Sequence, residues 1–523
     1  MQEAFDWNEE PPLDPAIEYQ GLLRGLRRKK GFGLYFVQCS PSEGTRLIER
    51  IRQDLPQKIE VLKFDAAMDG NFYQCVADYL QAHSDTEVLF VQGLEYSLLS
   101  YEATKREEGW SSEEIYSYSW KAVPRLLGNL NLQRERFRDN FPIRFVFLLP
   151  LFAMKYLIRR APDFFDWRSG IYEFPTDSET LNQESSQLLG HYDEYLTWTQ
   201  TKRDSRIAEL QCWASEPEQP TEGKAQLFLE QGSLFFASEQ YERAIASYDE
   251  ALKHQPNQDG AWNNRGIALG KLERYEEAIA SYDEALRINP DDDVWHKRGL
   301  AFAELEQYTE EIDSYNQALA VNPNNDWVLN SRGYALFELN RCQEAIADFD
   351  QAIRLDPTND FPWSNRGAAF LSLGKFDEAF SSFERALNLN PQSNNVWYDQ
   401  GVALNTLRRY EEAIASYDQA LELKPDDYAA WNNRGTALHS LGRYEEAIAS
   451  FDQALKFKPD HARTYYNKAC CYGLQGQIEL AIATLKQAID LNPKCREMAK
   501  TDVDFEGVRS DDRFQALIQG QPK

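Results

Sequence analysis

The chain of 523 residues is thin in what builds metal clusters, disulfide frameworks and membrane spans. Its 6 histidines, His83, His191, His254, His296, His439 and His461, show no ligand spacing. Its 7 cysteines, Cys39, Cys75, Cys212, Cys342, Cys470, Cys471 and Cys495, are odd in number and form no CxxC or His/Cys cluster. Reduced thiols are therefore expected, with no metal site. The most apolar run, Phe145–Ile158, is interrupted by Pro150 and Lys155 and is too short to cross a bilayer. The opening MQEAFDWNEEPPLDP is acidic and has no apolar centre, so no signal peptide is read and a cytoplasmic location is expected. Positive charge is also short: 56 Lys and Arg stand against 84 Asp and Glu, a net charge of −28. That field disfavours nucleic acid and anionic membranes and favours basic protein segments. No Ser/His/Asp or Cys/His arrangement suggests a nucleophile, so no catalytic residue is assigned and no enzyme is expected.

What the chain has in abundance is a period. Pro256, Pro290, Pro323, Pro357, Pro391, Pro425, Pro459 and Pro493 stand 34 residues apart, except for 33 between Pro290 and Pro323. A period of that length means stacked helical hairpins. In one copy Trp262, Gly266, Tyr275, Ala278, Tyr282, Ala285 and Pro290 fall at the key places. Gly266 lets the second helix come close, Ala and Tyr alternate on that helix, and Pro290 ends it. This pattern resembles the tetratricopeptide repeat, and it recurs eight times over residues 224–493. The resemblance implies a right-handed all-α superhelix with a concave groove for a protein or peptide. Glu311, Leu329, Cys342 and Ala469 depart from the pattern, and altered curvature is expected near the third and fourth units.

In this family the first helix of each pair lines the groove, and positions three before, one after and four after the Gly point inward. The candidate groove residues are Asn263, His296, Asn330, Tyr334, Phe337, Ser364, Leu371, Tyr398, Asn405, Asn432 and His439. Amides can satisfy an extended peptide backbone, and aromatics supply anchor pockets. The inward Lys and Arg that clamp a C-terminal carboxylate are missing. The recurring Arg265, Arg298, Arg332, Arg366 and Arg434 are read as scaffold electrostatics.

Before the repeats, short apolar runs alternate with helices: Leu34–Cys39, Ile59–Phe64, Glu87–Gln92, Ile143–Leu149 and Tyr172–Phe174 as strands; Thr45–Leu55, Asn71–Ala82, Trp120–Phe137 and Phe152–Arg159 as helices. This order predicts a parallel α/β sheet covered on both faces. The loop CSPSEGTR at 39–46 stands where a phosphate loop would, with Gly44 and Thr45 near the right places and no Lys. The third strand ends in Gln92 in place of Asp, with Glu95 nearby. The segment 130–174, with its APDFFDWRSG, resembles the end of the NTPase core of bacterial STAND-type proteins. That resemblance implies a P-loop-like α/β fold over 25–175. Both diagnostic sites are degenerate, so no cofactor is expected, with ATP or ADP as the alternative.

The expected organisation is a multidomain chain: an acidic arm at 1–24, the α/β domain at 25–175, a helical connector and linker at 176–223, eight repeats at 224–493 and capping helices at 494–523. The expected function is a protein-interaction scaffold whose N-terminal domain docks or regulates. The alternative is a nucleotide-controlled signalling or assembly switch.

Overall fold

The computed structural model describes residues 14–28, 31–65, 67–68, 71–107, 124–186, 189–190, 192–216 and 218–519. The chain divides into two compact units that meet at Asn289 and Pro290.

The first unit opens with helix α1 (Pro15–Arg27), followed by strand β1 (Gly33–Cys39), helix α2 (Pro41–Asp54), strand β2 (Ile59–Lys63), helix α3 (Phe72–Ala82), strand β3 (Val88–Gln92) and helix α4 (Glu95–Glu107). Helix α5 (Arg125–Asn140), strand β4 (Arg144–Leu149), helix α6 (Leu151–Arg160), the short helix α7 (Pro162–Phe165) and strand β5 (Gly170–Phe174) complete the sheet. The start of the expected helix at Trp120 lies outside the described residues. All pairings are parallel and the strand order is β2-β3-β4-β1-β5.

Each central strand is apolar on both sides, as a sheet buried on two faces requires. Leu34, Phe36, Phe145 and Phe147 point into one core with Phe72, Val76 and Phe137 of α3 and α5. Tyr35, Val37, Val146 and Leu148 point into the other with Leu47, Ile48 and Ile51 of α2. Helix α1 also packs on that second face through Tyr19, Leu22, Leu23 and Leu26. From Pro15 onward, the stretch read as an arm is therefore part of the sheet domain. Its acidic and basic residues hid a four-residue apolar stripe.

Helices α8 (Ser178–Ser186), α9 (Tyr192–Thr197) and α10 (Gln200–Ala214) form the connector. The polar stretch after α10 is a packed turn, with Glu216 and Gln219 buried.

From Thr221 the chain forms eight helical hairpins, two of them in the first unit. In each, the first helix is here termed A and the second B. The A helices are Thr221–Ala237, Asp259–Lys271, Asp292–Glu304, Asp326–Glu338, Asp360–Ser372, Asn394–Thr406, Tyr428–Ser440 and Ala462–Leu474. The B helices are Tyr241–His254, Tyr275–Ile288, Tyr308–Val321, Cys342–Leu355, Phe376–Leu389, Tyr410–Leu423, Tyr444–Phe457 and Ile478–Leu491. The residue missing from repeat 3 is taken up by the turn, where Asp291 caps helix A directly after Pro290.

Three contacts recur with the period. A Cβ at Gly266 would sit 2.5 Å from the Tyr282 ring, and the same clash would arise at Gly299 with Tyr315, Gly401 with Tyr417 and Gly435 with Phe451. The aromatic at the head of helix A ties back to the proline: Trp262, Trp363, Trp397 and Trp431 donate Nε1–H to the carbonyls of Pro256, Pro357, Pro391 and Pro425. Arg265, Arg366 and Arg434 bridge Asp249, Asp350 and Asp418 of the preceding B helix to Ser281, Ser382 and Ser450 of their own. These arginines are scaffold, as the sequence implies.

Candidate functional site

Two places bring chemistry-bearing side chains together: the stripe of each A helix opposite its Gly, and the carboxyl end of the sheet.

On the stripe, Asn263, His296, Asn330, Ser364 and Tyr398 are half-buried and Asn432 is buried. Four of them are held by the next repeat. His296 Nε2 lies 3.0 Å from Ser331 Oγ, with its ring against Tyr315. Asn365 donates to Asn330 Oδ1 at 3.0 Å, and Asn433 donates to the Tyr398 hydroxyl at 3.0 Å. Asn432 Oδ1 accepts from Thr464 at 2.9 Å and from Asn467 at 3.4 Å. The residue three before one Gly is thus held by the residue two before the next. This polar ladder stitches repeat 3 to 4, 4 to 5, 6 to 7 and 7 to 8 and positions the amides. Asp399 occupies the same rung, and burial pushes its carboxyl up to about 6.

Further along the stripe, repeats 3 to 5 present an apolar surface. Tyr334 is 48% exposed and its ring lies 6.4 Å from that of Phe337. Leu300 is exposed, while Leu371 and Asn405 are half-buried. Sequence reasoning missed two members. Trp327 and Phe361 are 55% and 53% exposed, with ring centroids 6.4 Å apart on adjacent A helices. Each precedes its Gly by six residues. Trp327, Asn330, Tyr334 and Phe337 follow i, i+3, i+7, i+10, one helix face. That spacing was available in the sequence.

The stripe is covered at its C-terminal end. The tail forms a helix (Lys494–Thr501), a 3₁₀ turn (Val503–Val508) and a last helix (Asp512–Gln519). The 3₁₀ turn packs on helix A of repeat 8, where a Cβ on Gly473 would sit 2.6 Å from the Asp504 carbonyl. His439 lies 3.2 Å from Asp504 Oδ2. His439 is thus engaged by the tail and Asn432 by repeat 8, which withdraws both from an open groove.

A separate cleft of 460 Å³ is lined by Asn316, Arg332, Arg341, Glu344 and Asp348. Four of its charges already pair: Arg332 grips Asp348 in bidentate fashion, and Arg341 grips Glu344.

At the sheet, ligands of open α/β folds bind beyond the carboxyl ends of the strands. Here β1 passes through one residue, Ser40, into α2. Gly44 and Thr45 therefore stand inside the helix and not in a loop. Ser40 caps the helix by accepting from Glu43 N–H, and Gly44 N–H bonds Ser40 O at 2.9 Å. Thr45 Oγ1 donates to Pro41 O. The Glu43 and Gly44 amides that would cradle a phosphate are already spent. Gly44 has a packing reason: a Cβ there would lie 3.2 Å from Leu148 and 3.3 Å from Cys39 Sγ.

Two carboxyls lie at this end. Glu95, at the start of α4, is buried and Oε2 has no hydrogen-bond partner; burial pushes it up to about 7. Glu216 is buried too, and burial lifts it likewise to about 7. Cys39 and Cys212 are both buried close to these acids, which together with burial push their thiols up. Helix α10 packs on α4, so the connector covers this end of the sheet.

Among the described residues, no helix is long and apolar enough to cross a membrane. Models described as "Tetratricopeptide repeat" match residues 229–293, 365–428, 406–462 and 462–495, and one described as "TPR repeat" matches 299–340 and 333–374. No curated protein sequence matches the chain. Among solved structures, YrrB, "a TPR protein with an unusual peptide-binding site", is 25% identical over 36% of this chain and 100% of its own, with a TM-score of 0.34. MamA is 22% identical over 33% of this chain and 94% of its own, with a TM-score of 0.31. A tetratricopeptide repeat protein from Parabacteroides merdae is 17% identical over 47% of this chain and 97% of its own, with a TM-score of 0.37.

Proposed function

Through its repeats the chain belongs to the tetratricopeptide repeat family, and from that premise we propose that it is a non-enzymatic scaffold. Its partner is a protein or peptide held on the A-helix stripe of repeats 3 to 6. The observation that carries this reading is the exposed aromatic surface of Trp327, Phe361 and Tyr334. Large aromatics left in water beside fixed amides are the ingredients of interface anchors. Asn330, Ser364, Tyr398 and Asn405 supply polar contacts around them. The acidic surface favours a basic partner over nucleic acid or membrane. The test uses the full chain. Trp327→Ala with Phe361→Ala, and separately Tyr334→Ala with Phe337→Ala, should each weaken binding of a partner captured by the wild type at least tenfold. Unchanged affinity in both pairs removes the stripe assignment.

The α/β domain then serves to dock or regulate. A nucleotide-controlled switch is the second reading, favoured by the all-parallel sheet and by the buried Glu95 beyond β3, whose Oε2 has no partner. Against it stand the absent loop, the absent Lys and the covering connector. Thermal shift with ATP, ADP and Mg²⁺ separates the two. No shift removes the switch; a shift abolished by changing Gly44 or Thr45 establishes it over the scaffold-only reading.

A further inference from the structure

The tail brings together side chains that are far apart in sequence. His439 comes from helix A of repeat 7, Cys470 from helix A of repeat 8, and Asp502 and Asp504 from the start of the 3₁₀ turn. Phe505 and Val508 are wholly buried and anchor that turn, so the two carboxylates are fixed by packing. The ligand atoms of Cys470, Asp502 and Asp504 all lie within 4.8 Å of one another. Cys470 Sγ is 3.8 Å from Asp502 Oδ2, and His439 Nε2 is 3.2 Å from Asp504 Oδ2.

A structural role accounts for half of this. Asp502 caps the turn by accepting from Asp504 N–H through Oδ1. Its other oxygen, Oδ2, takes the Tyr466 hydroxyl at 2.6 Å and faces the thiol. Capping leaves the rest unexplained. The thiol is buried to 4% exposure against two carboxylates. His439 Nε2 is sealed from solvent with Asp504 Oδ2 3.2 Å away.

We propose that His439, Cys470, Asp502 and Asp504 form a binding site for one divalent transition metal of the zinc class, which pins the C-terminal turn to the last two repeats. Two donor edges fit. Ligands bound at about 2.0–2.3 Å in a tetrahedron stand about 3.3–3.6 Å apart; the Cys470–Asp502 and His439–Asp504 edges are within a few tenths of an ångström of that, while His439 stands outside the group of three and must move inward to serve as the fourth donor. The donor types fit as well, since one thiolate and one imidazole select zinc-like ions over Mg²⁺ and Ca²⁺. Tyr466 acts one layer out. Its hydroxyl orients the Asp502 carboxylate, as hydrogen bonds behind metal ligands commonly do. Binding releases the Cys470 thiol proton to solvent and forms the sulfur–metal bond with the thiolate. The same ion holds the turn over Tyr466, Cys470 and Gly473, so it also fixes where the repeat stripe ends.

The test is Co²⁺ titration of the chelator-stripped full chain. One equivalent is expected, with a ligand-field band in the visible and a thiolate-to-cobalt charge-transfer band, both displaced by Zn²⁺ and untouched by Ca²⁺ or Mg²⁺. Cys470→Ser should abolish the charge-transfer band, and His439→Gln should weaken binding at least tenfold. Cys471→Ser, the adjacent thiol, should change neither. Circular dichroism checks that each variant is folded; for any that is not, Asp504→Asn, which spares the cap, is read instead and should weaken binding. Absence of tight cobalt or zinc binding by the wild type overturns the site. So does a charge-transfer band that survives in folded Cys470→Ser.

Discussion

Single residues in the repeats show how local departures are absorbed. At the small position of helix B, where Ala278, Ala345, Ala379 and Ala413 are wholly buried, repeat 3 carries Glu311. Its side chain is 3% exposed and Oε2 is sealed without a well-formed hydrogen bond. Burial pushes its carboxyl from 4.5 up to about 7. The sign of the linkage follows. Between those two values the unfolded chain has released this proton and the folded chain retains it, so stability falls as pH rises through that window and levels off above it. Glu311→Ala removes this slope and restores the residue the other repeats use. The variant should be more stable than the wild type by about 1–3 kcal/mol at pH 8, the cost of an unpartnered buried polar group. Nearer pH 4.5, the ordinary value for this carboxyl, the gain should be much smaller. Paired urea melts at the two pH values measure this, and an equal gain at both refutes the assignment. The recurring arginines make the opposite point. Arg332 loses the Ser found in other repeats and meets Asp348 there, in a two-pronged ion pair.

At the level of elements, the hairpin is set by size complementarity between a Gly on helix A and an aromatic sixteen residues later on helix B. The last repeat tests the rule, because Ala469 replaces the Gly and Leu485 replaces the aromatic, both wholly buried. The extra methyl is accommodated by a smaller partner. Gly401→Ala should therefore destabilise by about 1–3 kcal/mol through overpacking, its new Cβ lying 2.6 Å from the Tyr417 ring. In a Tyr417→Leu background the same change should cost far less, with a coupling of about 1 kcal/mol or more in a double-mutant cycle. Additive effects would show that the close approach is not what demands glycine. This complementarity was legible in the sequence because it is local and repeats. The five strands and their parallel pairing, though not their order, were legible for a related reason, since runs such as Leu34–Cys39 and Arg144–Leu149 are apolar on both faces. Helix α1 was not legible as structure, because Glu18 and Arg24 share its sequence with Tyr19 and Leu23. Nor was the fate of Gly44 and Thr45. A strand, a Gly and a helix look alike whether a loop intervenes or, as here, Ser40 caps the helix at once. The His439, Cys470 and Asp504 grouping had no sequence signal at all, since it depends on where the tail folds.

At the scale of the molecule, a repeat array is stable as a sum of nearest-neighbour contacts, and its last unit needs a lid. The tail supplies one. Phe505, Val508, Phe514 and Ile518 join Tyr466, Ala469, Leu485 and Ile489 in a single buried cluster. Each such apolar side chain is worth roughly 1.5–3 kcal/mol of burial before ordering entropy is subtracted. A chain ending after Thr501 loses all four tail side chains and exposes the face they covered. Because contacts in the array are local, the loss should stay local. Amide hydrogen exchange should become fast across Ala462–Leu474 and Ile478–Leu491, while Asp326–Glu338 through Tyr410–Leu423 keep the protection of the full chain. Two results would contradict this. Undiminished protection in repeat 8 would mean that its own hairpin contacts suffice and the tail is not a lid. A uniform loss from repeat 4 to repeat 8 would mean that these repeats open as one cooperative block, and neighbour-by-neighbour additivity would fail for this array.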